Sequence, residues 1–355
     1  MAKRRFGECL CKQGLLSGPL AWQALSLRIG ATELGLLMIF TYANAAGKLA
    51  QSGVAKALWI DLCKPDADET AATAPFVPEI PSLADLEEIE ISARLYREGG
   101  FTIMTVMVPG ISRDDGVSPI TGPVAFILGG DRLVTVRYHT PRPFETYAPR
   151  ADKVGLGCDG AERVFLGLCE EIIGRIADLL ELSGKALDGI TRQIFTTEGL
   201  APEAAVLQKA LTISGQQSDM VGNCRLSLLT IERALSFFLV GLEDHGKADG
   251  LRATIKGLTR DIQSLEVHGD YLSSRVAQAT DATLGMINLA QNTTVRIVSV
   301  VAVLFMPPTL IASIYGMNFR MMPELSMAWG YPLALVLMVG SALTTWFVFK
   351  WKKWL

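Results

Sequence analysis

Three polar residues recur at a fixed interval in the last third of the chain. Asp270, Asp281 and Asn292 are spaced 11 residues apart, and because 11 residues make three helical turns, their side chains would lie nearly on one line. If copies of such a helix surround an axis, each position becomes a ring of oxygen atoms, a known device for selecting cations. For Asp270 we favour an ordinary solvated helix face, whereas Asn292, four residues before Arg296, is favoured as a pore residue.

Apolar and hydroxyl side chains further along could shape a passage for ions. Val298 and Met306 could form an apolar constriction that closes by losing its water, and Thr309 could offer a hydroxyl group to a hydrated ion. Pro307 and Pro308 would free backbone carbonyls of a helix, which lipid tolerates only where protein or water satisfies them. Each of these residues alone is ordinary in a membrane-spanning helix.

Other kinds of chemistry find little support in the sequence. It contains no GxxxxGK[ST] or GxSxG segment, and its three His and six Cys show no spacing typical of metal ligands. The net charge of −3 lacks the basic excess of a nucleic-acid binder. We therefore expect no enzymatic activity, no nucleic-acid partner and no organic cofactor.

Charged residues are nearly absent from the C-terminal part of the chain. Ile297–Phe319 and Leu325–Phe349 are runs of 23 and 25 residues without Asp, Glu, Lys or Arg, and about 20 apolar residues suffice for a helix to cross a bilayer. Two such runs in succession are rare in soluble folds. The sequence therefore predicts two membrane-spanning helices, over about 297–317 and 329–349, joined by an outer loop over 318–328.

Basic residues predict the orientation of this hairpin. Arg296 precedes the first span and three lysines follow the second, whereas the loop offers only Arg320, offset by Glu324. Because Lys and Arg favour the cytoplasmic side, we expect both termini in the cytoplasm. The expected location is the inner (plasma) membrane, with membrane lipid as a partner.

The predicted fold is an α+β cytoplasmic domain over 38–160, a long helical stalk over 161–294 and the transmembrane hairpin over 295–355. Residues 1–37 are either an extension or the product of an upstream start. The local patterns behind this prediction are a buried strand over Ala57–Leu62, a helix from Ser82 towards Ala93, strands over Phe101–Val108, Val124–Leu128 and Leu133–Tyr138, and helices over Glu162–Glu181 and from Pro202 to about Leu242.

The last soluble helix is predicted to be unusually long. From Leu251 to Val276, apolar residues follow the alternating four-and-three spacing of a heptad seam, which seeks partner helices. No proline occurs between this seam and Pro307, so the helix could continue into the first span as a rod of about 90 Å. A rod of this length suits an assembly of parallel copies around a pore better than a monomer.

The end of the first span resembles a known family. Gly316-Met317-Asn318 closes this span, Met322-Pro323-Glu324-Leu325 lies in the loop, and Trp329-Gly330-Tyr331-Pro332 opens the second span. These segments, with the Lys-rich tail, resemble the CorA family of divalent-cation channels. The close match covers residues 281–355, and the remainder agrees in the order of its elements.

The resemblance implies a funnel-shaped homopentamer whose pore is lined by the first span. Gly316, Met317 and Asn318 are implied as the selectivity filter. Glu324 would attract cations in the outer loop. The residues that fall at the family's pore positions are Asp281, Asn292, Met306 and Thr309, and Val298 is predicted to line the pore from its apolar character alone. Mg²⁺ gives up its water reluctantly, so a ring of neutral amide oxygens could hold the hydrated ion by its shell.

The resemblance also implies a function and leaves alternatives. We expect passive, potential-driven Mg²⁺ influx, with Co²⁺ and Ni²⁺ as further substrates, and Asp261 as a candidate regulatory metal ligand. A zinc-transporting relative of the same architecture and a non-conducting membrane-anchored scaffold remain the alternatives. Pro307-Pro308 departs from the Pro-Leu that is frequent in the family.

Overall fold

The computed structural model describes residues 39–45, 47–88, 94–111, 119–153, 156–195, 203–244, 250–317, 327 and 329–352. The predictions for residues 1–37, Asn318 and Glu324 therefore lie outside the described residues. The chain divides into two compact units, one formed by the described residues of 1–183 and 219–272, the other by those of 184–218 and 273–355. The boundaries of the two units fall inside three of the long helices described below.

The first unit contains a seven-stranded sheet in the order β2-β1-β3-β7-β6-β5-β4. Strands β3 and β7 are parallel, and every other neighbouring pair is antiparallel. The strands are β1 (Ile39–Ala45), β2 (Lys48–Gln51), β3 (Trp59–Cys63), β4 (Leu95–Glu98), β5 (Phe101–Ile111), β6 (Pro119–Gly129) and β7 (Arg132–Arg137). All four predicted strands are confirmed, and Gly130, at φ +58°, forms the tight turn between β6 and β7.

The sheet is covered on both faces. On one face, Ile60 and Leu62 pack in a cluster that includes Val77 and Leu86. On the other face, the ring of Trp59 lies 5.9 Å from that of Tyr147, a residue of the segment that leads to the long helices. This two-sided burial explains why β3 is buried at all five of its positions.

Two short helices lie on the first of these faces. Helix α1 (Ala67–Thr73) begins with a capping box between Asp66 and Glu69. Helix α2 (Leu83–Glu87) begins with a second capping box, in which Asp85 N–H donates to the Ser82 hydroxyl and the Asp85 carboxylate accepts from Ser82 N–H. The predicted start of α2 is confirmed, but the helix ends at Glu87 because Glu88 adopts ψ 131°. Residues 89–93 of the predicted helix lie outside the described residues.

In the described part of the chain, five α-helices follow the sheet. They are α3 (Pro143–Thr146), α4 (Ala161–Phe195), α5 (Ala204–Asp244), α6 (Arg252–Tyr315) and α7 (Gly330–Trp351). The predicted rod is confirmed as the 64-residue α6, which continues through Pro307 and Pro308. The first predicted span ends two residues early, at Tyr315, and the second corresponds to α7.

Over the first unit, the heptad seam of α6 is covered by helices of the same chain. Ile255, Ile262 and Leu272 are each at most 2% exposed. The Asp270 carboxylate forms a 2.9 Å ion pair with the guanidinium group of Arg225. This pair links α6 to α5. In this part of α6, the helices that pack on the heptad seam therefore belong to the same chain. The sequence analysis had instead predicted packing between parallel copies of the chain.

Candidate functional site

The candidate pore residues of the second unit are distributed on two sides of α6. At about 100° per residue, Asp281, Asn292 and Met306 fall within about 20° of one line along the helix, while Val298 and Thr309 fall about 80–100° to one side of it. All five residues are exposed in the single chain. Val298 and Met306 reach exposed fractions of 63% and 65%, which is unusual for apolar side chains.

Helix α7 covers the side of α6 that lies opposite Val298 and Thr309. Phe349, near the end of α7, is 8% exposed and lines one cavity together with Arg296, Val300 and Val303 of α6. On the helical projection, Val298 lies about 160° from Arg296. The packing of α7 therefore leaves the side that carries Val298 and Thr309 open.

The hydroxyl group of Thr309 is already engaged as a donor. Its Oγ1 donates a 2.7 Å hydrogen bond to the carbonyl oxygen of Phe305, one turn earlier in α6. Because the proton is committed to the backbone, the two lone pairs of the oxygen are what this hydroxyl group can still offer, as an acceptor. Such an oxygen can accept a hydrogen bond from water that hydrates a cation.

Helix α6 ends immediately before the predicted selectivity filter. Gly316 N–H donates to the carbonyl oxygen of Ala312 at 2.9 Å, and Met317 N–H donates to that of Ile314 at 3.3 Å. The backbone thus closes its last turn at Met317, whose side chain is exposed. Asn318 and Glu324, which complete the predicted outer site, lie outside the described residues.

Asp261 has a neighbour that sequence reasoning did not identify. The pKa of Glu170, on α4, is raised by burial, then by the nearby charge of Asp261 and that of Glu171. Among the described residues, no group of three or more His, Cys, Asp or Glu could hold a metal ion. Asp261 and Glu170 are therefore a pair of carboxylates rather than a complete site, and their separation along the chain gave no spacing signal.

A Gly-x-Gly-x-x-Gly spacing at residues 155–160 also precedes α4. A dinucleotide site needs this spacing directly after a strand, inside a βαβ unit. Here the preceding element is a turn of 3₁₀ helix over Ala148–Arg150. The spacing therefore lacks the context of a phosphate-binding loop.

The surface of the two apolar helices indicates their environment. Both α6 and α7 contain stretches long and apolar enough to cross a membrane, and these stretches are 0% and 6% buried. Exposed aromatic rings lie at both ends of α7, with Trp329 and Tyr331 at its start and Trp351 at its end. A continuous exposed apolar surface bounded by such rings is typical of a membrane span.

The fold and these helices define a class of protein, in which an α/β domain and long helices precede two candidate membrane spans. The family model described as CorA-like Mg²⁺ transporter protein matches residues 54–352. The magnesium transport protein CorA of Mannheimia succiniciproducens is 35% identical, covering 84% of this chain and 92% of its own. That of Escherichia coli K12 is 34% identical with the same coverage. The chain belongs to the CorA family.

Solved structures share the fold. The complete structure of the CorA magnesium transporter from Methanocaldococcus jannaschii aligns with a TM-score of 0.68 at 16% identity, covering 90% of this chain and 99% of that one. The full-length CmaX protein aligns with a TM-score of 0.63 at 18% identity, covering 91% of this chain and all of that one. The predicted family and architecture are thus confirmed.

Proposed function

We propose that this CorA-family chain forms a channel for passive Mg²⁺ influx. The observation that carries the proposal is the face of α6 on which Asp281, Asn292 and Met306 follow one exposed line, beside the side that α7 leaves open. In a homopentamer these residues form rings around an axis. Each ring then offers oxygen atoms or an apolar narrowing to the same passing ion.

The rings have different roles. The carboxylates of Asp281 raise the local concentration of divalent cations, while the amide of Asn292 and the hydroxyl of Thr309 accept hydrogen bonds from the water of a hydrated Mg²⁺. Because Mg²⁺ sheds its water reluctantly, neutral oxygens that hold the hydration shell allow release. Val298 and Met306 narrow the path and close it when water leaves.

The resemblance assigns selectivity to Gly316, Met317 and Asn318, with Glu324 attracting cations at the outer mouth. Support comes from the end of α6 at Tyr315, the residue directly before Gly316. An amide ring from Asn318 would hold hydrated Mg²⁺ without the tight binding that five carboxylates would give. Co²⁺ and Ni²⁺, which also occur as hydrated divalent ions, are proposed as further substrates.

The driving force needs no coupled energy source. A charge that moves through 100 mV gains about 2.3 kcal/mol, so a divalent ion gains about 4.6 kcal/mol on entering an inside-negative cell. Arg296, Lys350 and Lys352 lie at the ends of the hairpin that the positive-inside rule places in the cytoplasm. The proposed location is therefore the inner (plasma) membrane, with both termini inside.

Regulation by internal Mg²⁺ is proposed to involve Asp261. The nearby Glu170 carboxylate is protonated more readily than usual because it is desolvated and lies close to Asp261 and Glu171. A divalent cation between the carboxylates of Glu170 and Asp261 would relieve this repulsion. The remaining ligands would be water or groups from another copy.

The experiment that tests the proposal is Mg²⁺ uptake into liposomes that contain the purified full chain, under an inside-negative potential. Asn318→Ala is expected to lower the uptake rate or the preference for Mg²⁺. Asn223→Ala is the matched control, because Asn223 is an exposed residue of α5 that lies far from the membrane spans in the sequence. Uptake that is absent in the wild-type chain, or unchanged in both variants, would contradict the proposal and favour a scaffold. Competition by Zn²⁺ in the same assay separates the zinc-transporting alternative.

A further inference from the structure

A cavity of about 270 Å³ lies between the two apolar helices of the second unit. Its lining comprises Arg296, Ser299, Val300 and Val303 of α6, and Phe349 of α7. The walls are thus mainly aliphatic and aromatic, with one guanidinium group and one hydroxyl group among them. None of these residues belongs to the proposed ion pathway.

The charge pattern indicates the level of the cavity relative to the membrane. Arg296 directly precedes the uncharged run Ile297–Phe319, and Phe349 is the last residue of the uncharged run Leu325–Phe349. The cavity therefore lies where both spans meet the same membrane boundary. Lys350 adds a second cation at this level, and its Nζ lies 4.9 Å from the centre of the Trp346 ring.

Among the described residues, no carboxylate side chain balances the cationic end of the cavity. The acidic residue before Arg296 is Asp281, the one after it is Glu324, and no acidic residue follows Glu324. Among the residues that the structure describes, no carboxylate forms an ion pair with Arg296. The guanidinium group of Arg296 is exposed in the single chain, and a cation at a membrane boundary attracts the anionic headgroups of lipids.

We propose that the cavity binds an anionic phospholipid of the inner leaflet. Arg296 pairs with the phosphate oxygens, Ser299 donates its hydroxyl proton to the headgroup, and Val300, Val303 and Phe349 contact an acyl chain. Basic pockets between membrane helices on the cytoplasmic side are typical sites for such headgroups. An anionic phospholipid combines a negatively charged headgroup with hydrocarbon chains. The cavity offers a matching combination of one cationic group and apolar walls.

A second copy of the chain is a poorer occupant of this cavity. Only one acidic residue, Glu324, occurs between Asp281 and the end of the chain, and it follows the first span, whereas Arg296 precedes it. The membrane segment of another parallel copy thus brings no carboxylate to the level of Arg296. The apolar walls alone could accept such a copy, but the guanidinium group would then remain without an anion.

The test is a lipid titration of the purified full chain in neutral detergent, followed by native mass spectrometry. The wild-type chain is expected to retain phosphatidylglycerol in preference to phosphatidylcholine. Since one basic residue near an anionic headgroup contributes about 1 kcal/mol, Arg296→Gln is expected to weaken phosphatidylglycerol binding about five-fold and leave phosphatidylcholine binding unchanged. Arg296→Lys keeps the charge and should retain most of the affinity.

The matched control is Arg233→Gln, which removes the same charge from an exposed position of α5, in the part of the chain before the membrane spans. Equal retention of the two lipids by the wild-type chain would overturn the proposal, and this comparison does not depend on any variant folding. Unchanged phosphatidylglycerol binding by Arg296→Gln, or a cross-link between Ser299→Cys residues of two copies that excludes lipid, would also overturn it. No ion flux is measured, so either result is independent of the proposed Mg²⁺ transport.

Discussion

The guanidinium group of Arg137 and the carboxylate of Asp61 form a buried ion pair in the middle of the sheet. Arg137 Nη2 lies 2.9 Å from Asp61 Oδ2, and the two side chains are 5% and 2% exposed. Thr135 donates a further hydrogen bond to Asp61 Oδ1 at 2.8 Å, and Trp59 Nε1 donates to Thr135 Oγ1 at 3.1 Å. The pair is therefore part of a hydrogen-bonded chain that joins β3 to β7.

Asp61→Asn is expected to lower the free energy of unfolding by about 3–5 kcal/mol, because it leaves the Arg137 charge buried without a counter-ion. The fluorescence of the tryptophans, among which Trp59 is fully buried, reports the loss during thermal unfolding of the detergent-solubilised chain. The matched control is Asp152→Asn, which breaks an exposed 3.0 Å pair with Lys48 and should cost much less, because water screens an exposed ion pair. Equal losses in the two variants would show that burial does not set the cost.

Two glycines of α4 are expected to respond to alanine in opposite directions. A Cβ at Gly167 would lie 2.3 Å from the hydroxyl oxygen of the fully buried Tyr147, whereas a Cβ at Gly174 would meet nothing within 4 Å. Gly167→Ala should therefore destabilise the protein by about 1–3 kcal/mol through overpacking. Gly174→Ala should stabilise it by about 0.5–1 kcal/mol, because alanine loses less backbone entropy in a helix. Thermal unfolding of both variants checks the signs, and a stabilised Gly167→Ala would contradict the observed packing.

The imidazole of His139 makes stability depend on pH. It is buried beside Gly110 and Gly122, and Nε2 donates to the carbonyl oxygen of Val108 at 2.8 Å. Burial, opposed by the hydrogen bond to Val108 and aided by the charge of Arg137, lowers the pKa of His139 from 6.5 to about 4. Between pH 6.5 and pH 4, His139 is therefore protonated in the unfolded chain but stays neutral in the folded chain.

Above pH 6.5 the neutral, buried His139 makes its full contribution to the free energy of unfolding. This contribution, about 3 kcal/mol in all, is lost as the pH falls towards 4. His139→Gln, which keeps an amide donor for Val108, is expected to flatten the dependence of the free energy of unfolding on pH across this window. Urea titrations at pH 7, 6, 5 and 4 provide the measurement. Parallel profiles for the wild-type chain and the variant would show that other groups account for the loss.

The sequence predicted elements whose signals are local. Two β-rich runs predicted the strands β6 and β7, and Ser82 predicted the start of α2. The two uncharged runs likewise predicted the apolar stretches of α6 and α7. In each case neighbouring residues determine the backbone, by turn geometry, capping or hydrophobic length.

Features that depend on the pairing of distant segments were not predicted. Asp61 and Arg137 are 76 residues apart, and only the parallel register of β3 and β7 brings them together. The same holds for Asp261 and Glu170, and for the cavity between Arg296 and Phe349. The heptad seam of α6 was recognised, but its period does not reveal whether the partner helix belongs to the same chain or to another copy.

The proposed ion pathway predicts that two aspartates of α6 differ in their effect on Mg²⁺ uptake. Asp281→Asn is expected to lower the initial rate several-fold, because neutralising a ring of carboxylates removes the attraction that concentrates cations at the pore. Asp270→Asn should change the rate little, since Asp270 is paired with Arg225 at 2.9 Å, and should cost less than about 1 kcal/mol of stability. Asp281→Glu retains the charge and should retain most of the flux.

The measurement is the initial rate of Mg²⁺ entry into liposomes that contain equal amounts of each variant. Raising the ionic strength should shrink the difference between the wild-type chain and Asp281→Asn, because salt screens a solvated ring of charges. A salt-independent loss would instead indicate direct binding of the ion by the Asp281 carboxylate. Equal rates for Asp281→Asn and Asp270→Asn would contradict the assignment of Asp281 to the pathway, because the two variants remove the same charge from the same helix.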